Sequence, residues 1–245
     1  MDRFFLKSLI AGLGGGALGF LILFYFMGGS FNIFALSGYS LEENPETTPS
    51  VIPVVSVAEG FWDKLAAESS FSSVGIQVFQ NNTLARQGSG IILSSDGLIM
   101  TTADLAFKDA VYQIFYEDKV FRGLVEAIDY KSNLFILKSL TSYSAVADLD
   151  VSHDYKSGQD ILLIGKLVDV SSPTTVSQRG TISYVTEGRI LIDTAQNNYL
   201  SGAGVIGASG KFIGMSYLRS GKTYLIKSGI IEPFFKEYLD KNTSK

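Results

Sequence analysis

The sequence has no cysteine and a single histidine, His153. The first absence excludes disulfide scaffolds, thiolate metal sites, cysteine nucleophiles and lipidated cysteines. It says little about compartment. The scarcity of histidine limits the chemistry, because imidazole is the usual general base near neutral pH and a common metal ligand. Charge is scarce too. Charged residues make up 18% of the 245 residues against 46% hydrophobic ones, and the formal net charge is -4. Such a chain lacks the basic face with which a nucleic-acid binder neutralises phosphates. Its mean hydropathy of +0.23 is high for a soluble protein and directs attention to membrane segments.

Asp2, Arg3 and Lys7 are the only charged side chains before Glu42. Between them lies an apolar run from Leu9 to Met27. A helix needs roughly 20 such residues to cross a bilayer. Arg3 and Lys7 precede the run, and Glu42, Glu43 and Glu46 follow it. The positive-inside rule then places residues 1–8 in the cytoplasm, a transmembrane helix over 9–27 in the cell membrane, and the rest outside. A cleaved signal peptide is the alternative, with Ala35 and Ser37 as small residues before a cut. Gly12 and Gly16, like Gly15 and Gly19, are four apart and offer a face for a helix-mediated oligomer. Residues 28–53 read as a linker, since Pro45, Pro49 and Pro53 with Glu, Thr and Ser between them suit an extended tether.

Residues 54–245 read as one domain. Val54 to Ser70 carries Phe61, Trp62, Leu65 and Ala66 at helical spacing, with charges interleaved, and predicts an amphipathic helix. From Ser73 the pattern changes to short strands: Val74–Phe79, Ile91–Leu93, Leu98–Thr101, Val111–Tyr116, Val120–Val125, Leu134–Leu140 and Ile161–Ile164. Turn signals punctuate them at Asp96-Gly97, Glu117-Asp118-Lys119, Glu187-Gly188, Ser209-Gly210 and Ser220-Gly221. Asn81-Asn82-Thr83 fits a glycosylation sequon and reads as a further turn. About a dozen strands over about 155 residues predict an all-β barrel or sandwich. A helix over Ile230–Leu239 closes the chain, with Phe234, Phe235 and Tyr238 on one face.

Five segments carry a family resemblance. Gly88-Ser89-Gly90 leads through a hydrophobic strand, Asp96-Gly97 and a second strand to Thr101-Thr102-Ala103-Asp104. Asp129 to Lys138, Leu149 to Gly165, Val176 to Ser183 and Asp193 to Gly204 follow in order, and Gly210-Lys211-Phe212-Ile213-Gly214 fixes the register of the last. The set resembles the HtrA/Deg-type, trypsin-like serine proteases and covers most of residues 70–240. The resemblance implies a double β-barrel of two six-stranded antiparallel barrels, with the interface between them near Asp148 to Gly158. The expectation is a member of the family without its C-terminal PDZ domains.

The resemblance also assigns the site, and there the chain departs from the family. Asp104 occupies the place of the catalytic histidine. Asn133 occupies that of the aspartate that orients it. Ser201 falls on the nucleophile, and Tyr199 on a glycine whose N–H helps to form the oxyanion hole. A serine hydroxyl needs a base that also returns the proton to the leaving amine. A carboxylate, with a reference pKa of about 3.9, is a weak base whose acid form is rare at pH 7. Removing the base costs on the order of 10⁶ in turnover. The expectation is therefore a pseudoprotease with no cofactor and no metal site, which binds a peptide or protein or serves as an accessory subunit. The alternative is a serine endopeptidase using Ser201 with an unusual base, such as Lys227. His153 falls in the connection between the barrels and reads as a solvated surface residue rather than a migrated base.

Overall fold

The computed structural model describes residues 60–169, 172–195 and 197–243. The transmembrane helix expected over 9–27 and the linker over 28–53 lie outside these residues. Among the described residues no helix is long and apolar enough to cross a membrane.

Six strands form the first half: β1 (Ser73–Gln80), β2 (Thr83–Ile92), β3 (Leu98–Thr102), β4 (Val111–Tyr116), β5 (Lys119–Asp129) and β6 (Leu134–Ser139). Six more form the second: β7 (Asp160–Asp169), β8 (Ser172–Val185), β9 (Ile190–Asp193), β10 (Gly204–Ile206), β11 (Phe212–Arg219) and β12 (Lys222–Lys227). Each set closes into an antiparallel barrel, in the orders β1-β2-β3-β6-β5-β4 and β10-β11-β12-β9-β8-β7. Closure leaves no free sheet edge, which is how an all-β domain avoids edge-to-edge aggregation.

Tight turns set the registers. Asn81 and Asn82, at φ 51° and 62°, join Gln80 to its partner Thr83. Ser220 and Gly221, at φ 51° and 69°, join Arg219 to Lys222 in the same way. Two left-handed residues in a two-residue loop match the twist of the flanking strands. Asp96-Gly97 differs from expectation. It ends a longer loop, only Gly97 has positive φ, and Asp96 takes hydrogen bonds from the Ser94 hydroxyl and, at 2.5 Å, from Lys138 Nζ. These two donors hold the Asp96 carboxyl below the usual carboxylate range, Lys138 first. The polar stretch from Thr83 to Gly90 has no strand signature, yet it forms most of β2. Pairing along β1, from Ser73↔Ile91 to Gln80↔Thr83, imposes the strand.

Apolar side chains sort into three cores. Ile76, Ile99, Ile114 and Phe135 fill the first barrel. Leu163, Ile182, Ile213 and Val205 fill the second. A third cluster joins Met100 and Ile136 of the first barrel to Ile164 and Met215 of the second. Each fully buried aliphatic side chain stabilises by roughly 1.5–3 kcal/mol, so this seam fixes the barrels against each other.

Two helices cover the seam. Helix α1 (Phe61–Ser69) buries Trp62 and Leu65 in it, and Arg179 lies over the Trp62 ring at 5.4 Å. Helix α2 runs over Ser228–Thr243, longer at both ends than the sequence pattern indicates. Its start is set by Ser228, which donates Oγ–H to Asp150 O at 2.5 Å and N–H to the Tyr155 hydroxyl at 3.3 Å. Glu232–Lys236 and Glu237–Lys241 pairs line its solvent side. Tyr238 reaches the first barrel, donating to Glu126 Oε2 at 2.7 Å.

Candidate functional site

Strand β3 delivers the first candidate. Thr102, extended at φ -93° and ψ 145°, ends the strand, and a 3-10 turn over Ala103–Leu105 lifts Asp104 to the barrel rim. The β5–β6 loop delivers Asn133, in the left-handed region at φ 57°, where Asn is among the more tolerant side chains. Its backbone carbonyl accepts from Ala103 N at 3.2 Å. Its Nδ2 donates to Asp104 Oδ2, also at 3.2 Å. Asn133 is thus bonded to two successive residues of the 3-10 turn, Ala103 and Asp104.

The second barrel delivers Ser201 behind a 3-10 turn over Asn198–Leu200. The hydroxyl of Ser201 lies 3.1 Å from Thr102 Oγ1. Ser201 is 8% exposed, and Thr102 is fully buried. The two barrels meet closely at this point. Ser89 N donates to Ser201 O at 2.8 Å, and Ser89 Oγ donates to Tyr199 O at 2.7 Å. The next residue, Gly202, has φ 81°, and a Cβ there would lie 2.1 Å from Ser89 O. Glycine is required at that position by both conformation and space.

The backbone at Ser201 bears on oxyanion chemistry. Stabilising a tetrahedral intermediate takes preorganised N–H groups aimed at one point in the cleft. Here Ser201 N donates to Asn198 O at 3.1 Å within its own turn. Tyr199 occupies the middle of that turn, and its side chain packs against the core of the second barrel.

Asp104 and Ser201 share one cleft of about 470 Å³, walled also by Arg86, Gln87, Leu105 and Asn198. Arg86 donates Nη1–H to Asp104 O at 3.2 Å and lies over the Phe107 ring at 5.4 Å. Sequence reading alone missed Thr102 and Arg86. Thr102 had one signal, since it lies in the Thr101-Thr102-Ala103-Asp104 segment that carries the resemblance. Arg86 had none, because its strand is visible only through pairing.

The other candidates lie elsewhere. Lys227 holds its ammonium 5.5 Å from the Tyr155 ring centroid. His153 is not a solvated surface residue as expected. It is half-buried, with Nδ1 3.2 Å from Asp150 Oδ2 and its ring edge-on to Tyr155 at 4.8 Å. The connection between the barrels folds back on the second barrel, through Leu149↔Phe212 bridging, and carries His153 inward. Among the described residues no cluster of His, Asp and Glu could hold a metal ion.

Paired six-stranded barrels, with a serine of the second facing loops of the first, define the trypsin-like class. Residues 88–215 match the family model described as "Trypsin-like peptidase domain". The chain belongs to that family, as an HtrA/Deg-type member. It is 26% identical over 194 residues to "Serine protease HTRA4" of Mus musculus, covering 69% of this chain and 39% of that protein. It is 26% identical over 165 residues to "Serine endoprotease DegS" of Haemophilus influenzae, covering 63% of this chain and 48% of that protein. The chain therefore spans less than half the length of these relatives. A crystal structure of the serine endoprotease from Yersinia pestis superposes with a TM-score of 0.64 at 17% identity, covering 74% of this chain and 67% of that one. At that identity the likeness speaks for the fold.

Proposed function

We propose that the chain is a pseudoprotease that binds a peptide or protein in its cleft, or serves as an accessory subunit, rather than cleaving. One observation carries the reading: the hydrogen-bond partner of Ser201 Oγ is the hydroxyl of Thr102, which has no basic lone pair to take a proton at neutral pH. The amide of Asn133 donates to Asp104, so the two positions pair with each other and neither holds an imidazole. The Ser201 N–H is bound within its own turn. Base, orienting acid and oxyanion donor are each altered, while the barrels and the cleft persist.

The same proposal places the domain outside the cell membrane on an N-terminal helix over 9–27. Its support is the charge asymmetry around an apolar run of spanning length. A glycine face on that helix is the proposed route to an oligomer.

The alternative is an endopeptidase in which the Asp104 carboxylate assists Ser201. It draws on the placement of both residues in one cleft. The deciding measurement is turnover of denatured casein and a fluorogenic peptide, by the chain and by Ser201→Ala. Pseudoprotease behaviour gives equal background rates and no fluorophosphonate label. Ser201-dependent cleavage, or covalent labelling of Ser201, overturns it in favour of the alternative.

A further inference from the structure

The cleft continues past Asp104. On the other side of this residue the β5–β6 loop, the β8–β9 turn and strand β11 enclose a second hollow of about 350 Å³. Tyr130, Lys131, Tyr217, Arg219 and Ile230 are on its walls, and Asp104 is common to both hollows. Tyr130 is 72% exposed and Ile230 43%, so apolar surface is available along the groove.

Strand register sets cations around this surface. Tyr217 pairs with Tyr224 and Arg219 with Lys222 across β11 and β12, and Tyr224 pairs with Leu191 of β9. Residues two apart on a strand share a face, so Arg219 and Lys222 flank the Tyr217–Tyr224 stack, whose ring centroids are 5.4 Å apart, and Arg189 immediately precedes β9 beside it. Burial raises the Tyr217 phenol, Arg189 and Arg219 oppose that rise, and Asp104 adds to it. All three charges therefore act on one ring. Arg86 continues the row into the first hollow.

These cations are not committed to acids of the chain itself. Lys138, Lys156 and Lys211 each hold an acid at 2.5–3.0 Å. Among the described residues, Arg86, Lys131, Arg189 and Arg219 lie within ion-pair distance of no carboxylate. Guanidinium groups present planar forks that match carboxylates in two-point contact.

We infer that the groove selects acidic segments: an extended peptide whose aliphatic or aromatic residue rests on Tyr130, Tyr217 and Ile230 while carboxylates beside it meet Arg219, Arg189 and Lys131. The inference rests on the reading of the cleft as a peptide-binding site. Phosphate backbones would meet the same cations, but Asp104 divides the groove and the chain carries a net charge of -4. Long polyanions are repelled by that charge, whereas a short segment with a few carboxylates feels chiefly the local cations.

Three labelled peptides of equal length test this by fluorescence anisotropy on the full chain. They share an aromatic centre and carry Glu, Gln or Lys on either side; a single-stranded oligonucleotide is the fourth probe. The Glu peptide should bind roughly fivefold more tightly than the Gln peptide at low salt, and the gap should close at high salt. Arg189→Ala with Arg219→Ala should remove the gap and leave Gln-peptide binding in place. Arg219→Glu, a change at an exposed hairpin, should shift preference to the Lys peptide. Equal binding of Glu and Gln peptides by the unmodified chain overturns acid selection but leaves the groove reading intact. No binding of any peptide overturns the groove reading itself. Tighter binding of the oligonucleotide overturns the inference in favour of a phosphate ligand.

Discussion

Thr102 and Ser201 face each other across the barrel interface with their hydroxyl oxygens 3.1 Å apart. One belongs to the end of β3 and the other to the turn before β10, so this bond joins the two halves at the site itself. A buried neutral hydrogen bond contributes about 1 kcal/mol net. A double-mutant cycle of Thr102→Val and Ser201→Ala, read by urea unfolding, should give a coupling of about that size. A coupling indistinguishable from zero would remove the bond from the account.

Restoring the two missing triad residues should not restore the enzyme. Asp104→His with Asn133→Asp would supply a base and its orienting acid. The Ser201 N–H would still donate to Asn198 O, and losing an oxyanion donor costs about 10²–10³ in turnover. Fluorophosphonate labelling of Ser201 should therefore stay near background in the double variant and rise when Tyr199→Gly is added. Strong labelling without the third change would show that the turn opens unaided.

Gly202→Ala tests the contact between the barrels. The new Cβ would meet backbone of Ser89 at 2.1 Å, at a φ of 81° that L residues rarely adopt. The next contact, Thr101 Oγ1 at 2.4 Å, belongs to a fully buried side chain bonded to Ser89 O, so strain adds to clash. A loss of about 3 kcal/mol or more is expected, measured as a lowered urea midpoint or as failure to accumulate. A near-neutral substitution would contradict the close approach.

Tyr238 gives the fold a pH dependence at its alkaline end. Burial, with the Glu126 carboxylate that accepts its proton, pushes the phenol up to about 12. The ordinary value is about 10. Between these the unfolded chain has lost a proton that the native state keeps, so stability falls as pH rises from about 10 to about 12 and is unaffected below that window. Tyr238→Phe should flatten part of this decline in unfolding scans. An unchanged slope would mean that the helix does not hold the phenol against Glu126 in solution.

The anchor has its own test. Protease added to spheroplasts should reach residues 54–245 of the full chain. Complete protection, or recovery of a soluble form beginning near Gly38, would count against a helix over 9–27.

Much of the architecture was legible in the order of residues. Short continuous apolar runs such as Leu134 to Leu137 and Ile161 to Ile164 mark buried strands because both faces of the strand meet apolar surroundings. Asn81-Asn82 and Ser220-Gly221 mark hairpins because few other residues tolerate positive φ. Local chemistry determines both features, and five ordered segments sufficed to indicate the family, and with it Asp104, Asn133, Ser201 and Tyr199 as positions of interest. Tertiary structure decided what those positions touch. Thr102 reaches Ser201 from 99 residues away, and Arg86 of β2 and Arg219 of β11 line hollows that share Asp104 only because the two barrels close against each other. His153 is drawn inward by a connection whose course depends on Phe212. Such relations depend on closure of the two barrels, which is set by long-range strand pairing, and no short stretch of sequence carries that information.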